Sequence, residues 1–294
     1  MQIKINGIFL EVEDHGSKDG IPLVLIRGLG TQIVQWPAEL IGGFTEKGYR
    51  VIVFDNRDVG LSQRCPGDGA MGDADEIIAA ISAGKPTRAA YTMFDMARDV
   101  VGILDALEIP KAHIAGISMG GRIAQLLAAY HPDRLLSATY IMTSANPVAR
   151  LDEHLDRLGL LLARPVSKET FIRNHLTADA SWGSPGYPMT EEELRAQANE
   201  MWERGAEPEG VNRQLLAMLA TEYDEEAIRN ISVPSQVIHG LDDALIPPDK
   251  GQELADMVPN CPFHGVEGMG HTITPKLAPA IVDLISNFIR SSQA

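Results

Sequence analysis

Short apolar runs alternate along the chain with longer segments whose apolar residues recur at helical spacing. The first two runs, 3–5 and 9–12, alternate apolar and polar residues around Asn6 and Gly7, which predicts a short hairpin. Later runs are almost continuously apolar, which is typical of strands buried on both faces. The strands predicted in this way are 3–5, 9–12, 23–26, 51–54, 113–115, 137–142, 235–238 and 263–266.

Helical spacing fills the intervals between these strands. It predicts helices over 98–107 and 122–129 and a closing amphipathic helix over 277–289. The alternation indicates an α/β protein with a mostly parallel eight-stranded sheet and helices on both faces. From about 146 to 223 no strand-like run occurs, which predicts a helical insertion with helices over 151–162, 168–176, 191–204 and 211–221.

Composition narrows the kinds of partner. The 294 residues include 25 Lys plus Arg against 40 Asp plus Glu, a net charge of −15, which disfavours nucleic acid and anionic membranes. Cys65 and Cys261 fit no metal or redox spacing and are expected to be reduced thiols. Without a signal-peptide pattern or a membrane-spanning run, we expect a cytoplasmic protein that acts on a small molecule. The composition is also compatible with a homo-oligomer.

The strongest chemical motif is G-I-S-M-G at residues 116–120, which lies directly between a predicted strand and a predicted helix. A sharp strand-to-helix turn exposes its central serine and needs small residues on either side. The N-terminus of the following helix offers free N–H groups to an oxyanion. The motif therefore predicts that Ser118 is a nucleophile.

A serine nucleophile needs a base, and the base needs an acceptor. Of the eight histidines, His271 lies in a Gly-rich loop between the last strand and the last helix, where it can reach the edge of the sheet. The loop after strand 235–238 contains two neighbouring carboxylates, Asp242 and Asp243. Successive residues point in different directions, so we expect one of the two to orient His271.

The oxyanion should be held by two backbone N–H groups. Residues 27–30, R-G-L-G, follow the strand 23–26, and their glycines permit close approach to Ser118. We expect the N–H groups of Leu29 and Met119 to form the oxyanion hole. The spacing of this loop does not fit a dinucleotide-binding motif.

Taken together, these motifs resemble those of the α/β-hydrolase superfamily over essentially the whole chain. Residues 116–121 are similar to its nucleophile elbow, 268–271 to its histidine loop and 243–247 to its acid loop, which favours Asp243 over Asp242. The turn at 55–62 resembles a superfamily turn, with Asp58 where glycine is usual. This turn and the segment 35–37 resemble the corresponding segments in the branch of the superfamily that contains aclacinomycin methylesterase. The resemblance implies that the substrate is an ester.

The resemblance implies a core domain of residues 1–145 and 224–294 and a helical cap domain of residues 146–223 over the site. One residue departs from the family pattern, because Arg27 occupies a position where histidine is usual. We expect Arg27 to pair with an acid such as Asp55, Asp58 or Glu39 rather than with an anionic substrate group, because buried arginines usually find a carboxylate.

The sequence thus predicts a serine esterase with the catalytic residues Ser118, Asp243 and His271, and with no metal or organic cofactor. The same residues would serve a carbon–carbon bond hydrolase, a lactonase or a cofactor-free perhydrolase, and a non-catalytic ligand-binding protein could keep the same fold. The residues predicted to line the substrate pocket are Gly28, Trp36, Met142, Trp182, Tyr187 and Trp202. Each of them could instead serve only to pack the core or the cap.

Overall fold

The computed structural model describes residues 1–67, 77, 79, 83, 88–146, 167–222 and 224–292. Within these residues a single sheet of eight strands runs in the order β1-β2-β4-β3-β5-β6-β7-β8. This arrangement confirms the predicted eight-stranded α/β sheet. The strands are β1 (Gln2–Ile5), β2 (Ile8–His15), β3 (Ile21–Ile26), β4 (Tyr49–Phe54), β5 (Ala112–Ile117), β6 (Leu135–Ile141), β7 (Ser235–Gly240) and β8 (Phe263–Val266).

Strand direction determines where a site can form. β2 pairs with β1 and β4 in antiparallel fashion, and the pairs from β4 to β8 are parallel. The chain passes from β3 to β4 on one side, and β5 then lies on the other side of β3. The loops that follow β3 and β5 therefore diverge at the carboxyl edge of the sheet, which is where open α/β sheets bind ligands.

Helices cover both faces of this sheet. The helices of the described residues are α1 (Ala38–Glu46), α2 (Met93–Ala106), α3 (Met119–Tyr130), α4 (Lys168–Trp182), α5 (Glu191–Glu203), α6 (Pro208–Ala220), α7 (Glu225–Arg229), α8 (Pro248–Met257) and α9 (Ala278–Ser292). α1 and α9 pack on one face, while α2, α3 and α8 pack on the other. Among the residues described, no helix is long and apolar enough to cross a bilayer.

Most predicted helices occur with shifted ends. The helix predicted at 98–107 begins earlier, at Met93, because Thr92 and Asp95 form a reciprocal capping box in which each side chain accepts from the backbone N–H of the other residue. The predicted helix 151–162 lies outside the described residues. α1, α7 and α8 were not among the predicted helices; they are short, with 9, 5 and 10 residues.

The segment that carries α4, α5 and α6, residues 167–222, is here termed the helical segment. It is anchored to the loop after β4 by two ion pairs with buried carboxylates: Arg204 to Asp55 at 2.8 Å and Arg213 to Asp58 at 2.7 Å. Asp58 has a positive φ of 74°, which suits glycine better than aspartate. Its carboxylate compensates by joining the loop to α6.

Candidate active site

Ser118 lies on the tight turn between β5 and α3. Its backbone has φ 54° and ψ −118°, a conformation that costs a non-glycine residue on the order of 1–3 kcal/mol. The Ser118 N–H donates to the carbonyl of Ile141 at 2.9 Å, and the Ser118 carbonyl accepts from Thr143 Oγ1 at 2.9 Å. The end of β6 therefore holds the strained serine in place.

The glycines that flank Ser118 are required by close contacts between backbones. A Cβ at Gly116 would lie 2.1 Å from the carbonyl oxygen of Gly120, and a Cβ at Gly120 would lie 2.2 Å from that of Ile26. Both contacts are with backbone atoms, which cannot rotate away as a flexible side chain could. The G-x-S-x-G spacing is thus explained by the approach of α3 to β5 and β3.

Asp243 and His271 are joined at the adjacent strand ends. Asp243 Oδ2 accepts a hydrogen bond from His271 Nδ1 at 2.7 Å, and Asp243 Oδ1 accepts from the backbone N–H groups of Leu245 and Ile246, both at 2.9 Å. Burial acts to raise the pKa of the Asp243 carboxyl, but the charge of His271 and hydrogen bonds from His239, His271 and Ile246 hold this pKa well below its usual range. The buried carboxylate is thus kept ionised beside the imidazole.

The neighbouring carboxylate has a different partner. Asp242 Oδ2 accepts from the backbone N–H of Gly268 at 2.8 Å, and the Asp242 N–H donates to the carbonyl of Met269 at 3.0 Å. These bonds tie the acid loop to the loop that carries His271. Of the two candidates from the sequence, the structure therefore brings Asp243 to His271 and gives Asp242 a tethering contact.

His239 adds a second imidazole beside the acid. It is fully buried at the end of β7, and its Nε2 donates to the carbonyl of Ile246 at 2.9 Å and lies 3.5 Å from Asp243 Oδ2. His239 Nδ1 has no hydrogen-bond partner among the described residues. No role was assigned to His239 from the sequence, and no motif in the sequence marks it.

The His271 loop is held from the other side by the helical segment. The His271 N–H donates to the carbonyl of Trp182 at 2.7 Å, the Gly186 N–H donates to the carbonyl of Gly268 at 2.8 Å, and the Gly270 N–H donates to Ser184 Oγ at 3.0 Å. A Cβ at Gly270 would lie 2.0 Å from the carbonyl oxygen of Gly183. The imidazole position is thus set by backbone contacts between two chain segments.

One cavity of about 1040 Å³ connects these groups. Its wall includes Ser118 and His271 together with Leu29 and Met119, the two residues expected to offer oxyanion N–H groups. The Met119 N–H belongs to the first turn of α3, whose amides have no acceptor within the helix. Among the described residues Ser118 Oγ makes no hydrogen bond to His271, and such bonds often tighten only when substrate is bound.

Two of the six residues predicted to line the pocket, Gly28 and Trp182, lie in the wall of this cavity. The other four do not line this cavity. Trp36 and Met142 are buried in the core on the α1 and α9 face, and Tyr187 packs against that core. Trp202 packs on Phe171 with ring centroids 5.7 Å apart, and it is Phe171 that lines the cavity.

The expected ion pair of Arg27 is not formed. Asp55 pairs with Arg204 and Asp58 with Arg213, and no carboxylate of the described residues, Glu39 included, pairs with Arg27. Arg27 instead stacks on the ring of Trp36 at 4.6 Å and lines the cavity. Asp55 and Asp58 instead pair with arginines of the helical segment, and this pairing could not be predicted from the sequence.

Sequence reasoning also missed polar residues in the cavity wall. Gln32 follows the oxyanion loop, and His175, Asp179 and Gln197 come from α4 and α5. They lie on helix faces whose orientation depends on how α4 and α5 pack. No motif marks them in the sequence.

The sheet edge, the strained serine, the paired acid and histidine and the shared cavity form the arrangement expected of an α/β-fold hydrolase. A model of the α/β hydrolase fold family matches residues 21–274. The chain therefore belongs to the α/β-hydrolase family.

Relatives of known name agree with this family. The chain is 30% identical to a protein from Variovorax paradoxus (strain S110) named as a candidate carbamate hydrolase, RutD, over 89% of each chain. It is 28% identical to rhodomycin D methylesterase DauP of Streptomyces sp. (strain C5), over 89% of this chain and 88% of that one. By fold it is similar to the meta-cleavage product hydrolase of Pseudomonas fluorescens IP01, with TM-score 0.75, 23% identity and coverage of 99% and 98%. The two sequence relatives support the assignment of the chain as a hydrolase, and the structural neighbour agrees with the fold.

Proposed function

We propose that the protein is a serine hydrolase that cleaves carboxylic esters of small to medium size through an acyl-enzyme intermediate. The observation that carries this proposal is the alignment of three groups at one sheet edge: strained Ser118 and His271 in the wall of one cavity, and buried Asp243 on His271 Nδ1. The resemblance to a methylesterase over 89% of the chain supports an ester as the substrate.

In the proposed reaction His271 Nε2 takes the hydroxyl proton as Ser118 Oγ bonds to the ester carbonyl carbon. The N–H groups of Leu29 and Met119 hold the resulting oxyanion. The carbon–oxygen bond to the alcohol then breaks, and His271 returns the proton to the departing oxygen. His271 then deprotonates a water molecule, whose oxygen bonds to the acyl carbon; the bond from that carbon to Ser118 Oγ breaks, and His271 returns the proton to Ser118 Oγ as the acid leaves.

Asp243 keeps the His271 ring in the tautomer with its proton on Nδ1 and stabilises the imidazolium that forms in both steps. We further propose that residues 146–223 act as a cap domain, with 1–145 and 224–294 as the core. Cavity-lining side chains from α4, α5 and α6 support that role. They would decide which acyl and alcohol groups fit beside Ser118.

The test is hydrolysis of 4-nitrophenyl esters from acetate to octanoate by the wild type, Ser118→Ala and Ser144→Ala. Ser144 lines the same cavity but does not lie on the β5–α3 turn, so it controls for loss of any serine from the wall. We expect Ser118→Ala to lower kcat by a factor on the order of 10⁴ or more, while Ser144→Ala retains most of the turnover. Equal turnover by wild type and Ser118→Ala, or no ester turnover at all, would contradict the proposal.

A further inference from the structure

Arg27 is a buried cation in the cavity wall that has only neutral partners. It is 6% exposed, and its Nε and Nη1 donate to Thr31 Oγ1 and to the carbonyl of Gln35, both at 3.3 Å. These distances lie at the long end for hydrogen bonds. Nη2 donates to no acceptor among the described residues.

Other buried arginines show what usually compensates such a charge. Arg57 and Arg213 are buried to a similar extent, and each makes two hydrogen bonds of 2.7 to 3.0 Å to a buried aspartate. Burial without a counter-charge is costly because the guanidinium loses hydration without gaining a Coulombic partner. Arg27 thus retains unused capacity for an anion.

The setting of Arg27 keeps this capacity available. Its guanidinium stacks on the Trp36 ring at 4.6 Å, which supports one face of the plane and leaves the N–H edge for hydrogen bonds. Burial lowers the pKa of Arg27 to about 9, so the side chain remains protonated at neutral pH. In the same wall, Gln32 Oε1 is buried and has no partner among the described residues, while Gln32 Nε2 donates to the carbonyl of Met201. This part of the cavity is therefore polar and incompletely satisfied.

The backbone of Arg27 lies next to the β5–α3 turn that carries the proposed nucleophile. Arg27 precedes Gly28, where a Cβ would be 3.2 Å from Ser118 Cβ, and its carbonyl would be 2.7 Å from a Cβ at Gly120. Acidic side chains also line the cavity. Those of Asp249, Glu253 and Asp256 on α8 are exposed, so water and salt screen their charges. The side chain of Asp179 is half-buried, and desolvation raises the pKa of its carboxyl. Arg27 is buried and therefore acts with little screening.

We infer that Arg27 binds a free carboxylate of the substrate, so that the preferred esters carry a second acid group close to the scissile bond. This inference rests on the proposed esterase function and names its substrate class. The charge-assisted bond would select anionic over neutral esters of the same size, in a protein whose net charge of −15 would otherwise disfavour them.

The experiment compares kcat/KM for two matched pairs of esters. The first pair is mono-4-nitrophenyl glutarate and 4-nitrophenyl hexanoate, which places the acid on the acyl side. The second is 4-carboxyphenyl butyrate and phenyl butyrate, which places it on the alcohol side. The variants are Arg27→Gln, Arg27→Lys and the control Arg195→Gln, which removes the same charge from an exposed i,i+4 pair with Glu191.

We expect wild type to prefer the anionic ester of at least one pair. Arg27→Gln should lower that preference about 10- to 100-fold, as for loss of a charge-assisted hydrogen bond. Arg27→Lys should retain part of the preference and Arg195→Gln all of it. An anionic-to-neutral ratio that is the same in wild type and Arg27→Gln, or that falls equally in Arg195→Gln, would overturn the inference.

A binding measurement separates this inference from the reaction itself. Calorimetry would compare benzoate and benzamide on Ser118→Ala and on Ser118→Ala combined with Arg27→Gln. Selective binding of benzoate that is lost with Arg27→Gln supports the anion site even if no ester is hydrolysed. Equal binding of benzoate by both proteins would count against it, whatever the turnover. Circular dichroism of each variant identifies any that fails to fold, and Arg27→Lys then carries the comparison.

Discussion

Replacing Arg213 by leucine should destabilise the fold far more than an ordinary surface substitution. The Asp58 side chain is fully buried, that of Arg213 is 9% exposed, and two hydrogen bonds of 2.7 and 3.0 Å join them. Asp58 Oδ2 is buried and has no hydrogen-bond partner among the described residues, while Oδ1 also accepts from the Cys65 N–H at 2.8 Å. Removing one member of a buried ion pair costs about 3–5 kcal/mol, because the remaining charge is left uncompensated.

Urea unfolding with linear extrapolation measures this cost as a fall in the midpoint at unchanged slope. The matched control is Arg195→Leu, which breaks an exposed pair with Glu191 and should cost less than about 1 kcal/mol. A double variant, Asp58→Gly with Arg213→Leu, should recover most of the loss, because it removes the stranded carboxylate and because glycine suits the φ of 74°. If Arg213→Leu lay within about 1 kcal/mol of wild type, or if Asp58→Gly failed to rescue it, the reasoning would be refuted.

Two further predictions concern the site. The pKa of Asp243 is held below its usual 3.8, so the stability that its carboxylate contributes is fully present above that pH and is lost as the pH falls towards the folded-state pKa. The difference in unfolding free energy between wild type and Asp243→Asn should therefore shrink from pH 7 to pH 3. A difference that widens over this range would show that the sign is wrong. Gly120→Ala forces a Cβ to 2.2 Å from the carbonyl of Ile26, so kcat/KM for a 4-nitrophenyl ester should fall by about a hundredfold. Gly42→Ala is the control, since a Cβ there meets nothing within 4 Å, and equal activity of the two variants would contradict the packing argument.

The sheet and the strand-end motifs were predictable because they depend on local pattern. Continuous apolar runs mark strands buried on both faces, and parallel strands deliver their following loops to one edge. Ser118, Asp243 and His271 each directly follow a strand or lie in the loop after one, so their convergence follows from topology. The start of α2 was predicted five residues too late, although Thr92 and Asp95 have capping-box spacing in the sequence.

The residues of the cavity wall could not be predicted in the same way, because they depend on which side of each helix packs towards the cavity. Trp202 and Phe171 lie on α5 and α4, and only the packing of one ring on the other decides which of them meets the cavity. Arg27 shows the same limit for charges. Asp55 and Asp58 are nearby acids in the sequence, but arginines about 150 residues further along the chain pair with them.

The contacts between the His271 loop and residues 182–186 limit how modular the protein can be. A chimaera that exchanged residues 167–222 for those of a relative would replace Ser184, whose hydroxyl accepts from the Gly270 N–H, and the turn that holds the Trp182 carbonyl against the His271 N–H. An exchange therefore has to leave residues 182–186 in place, so that this junction stays with the sheet on which His271 depends. Substrate range can be altered through cavity-lining residues on either side of this stretch, such as Phe171 and Met218, whereas residues 182–186 have to be kept together with the histidine loop.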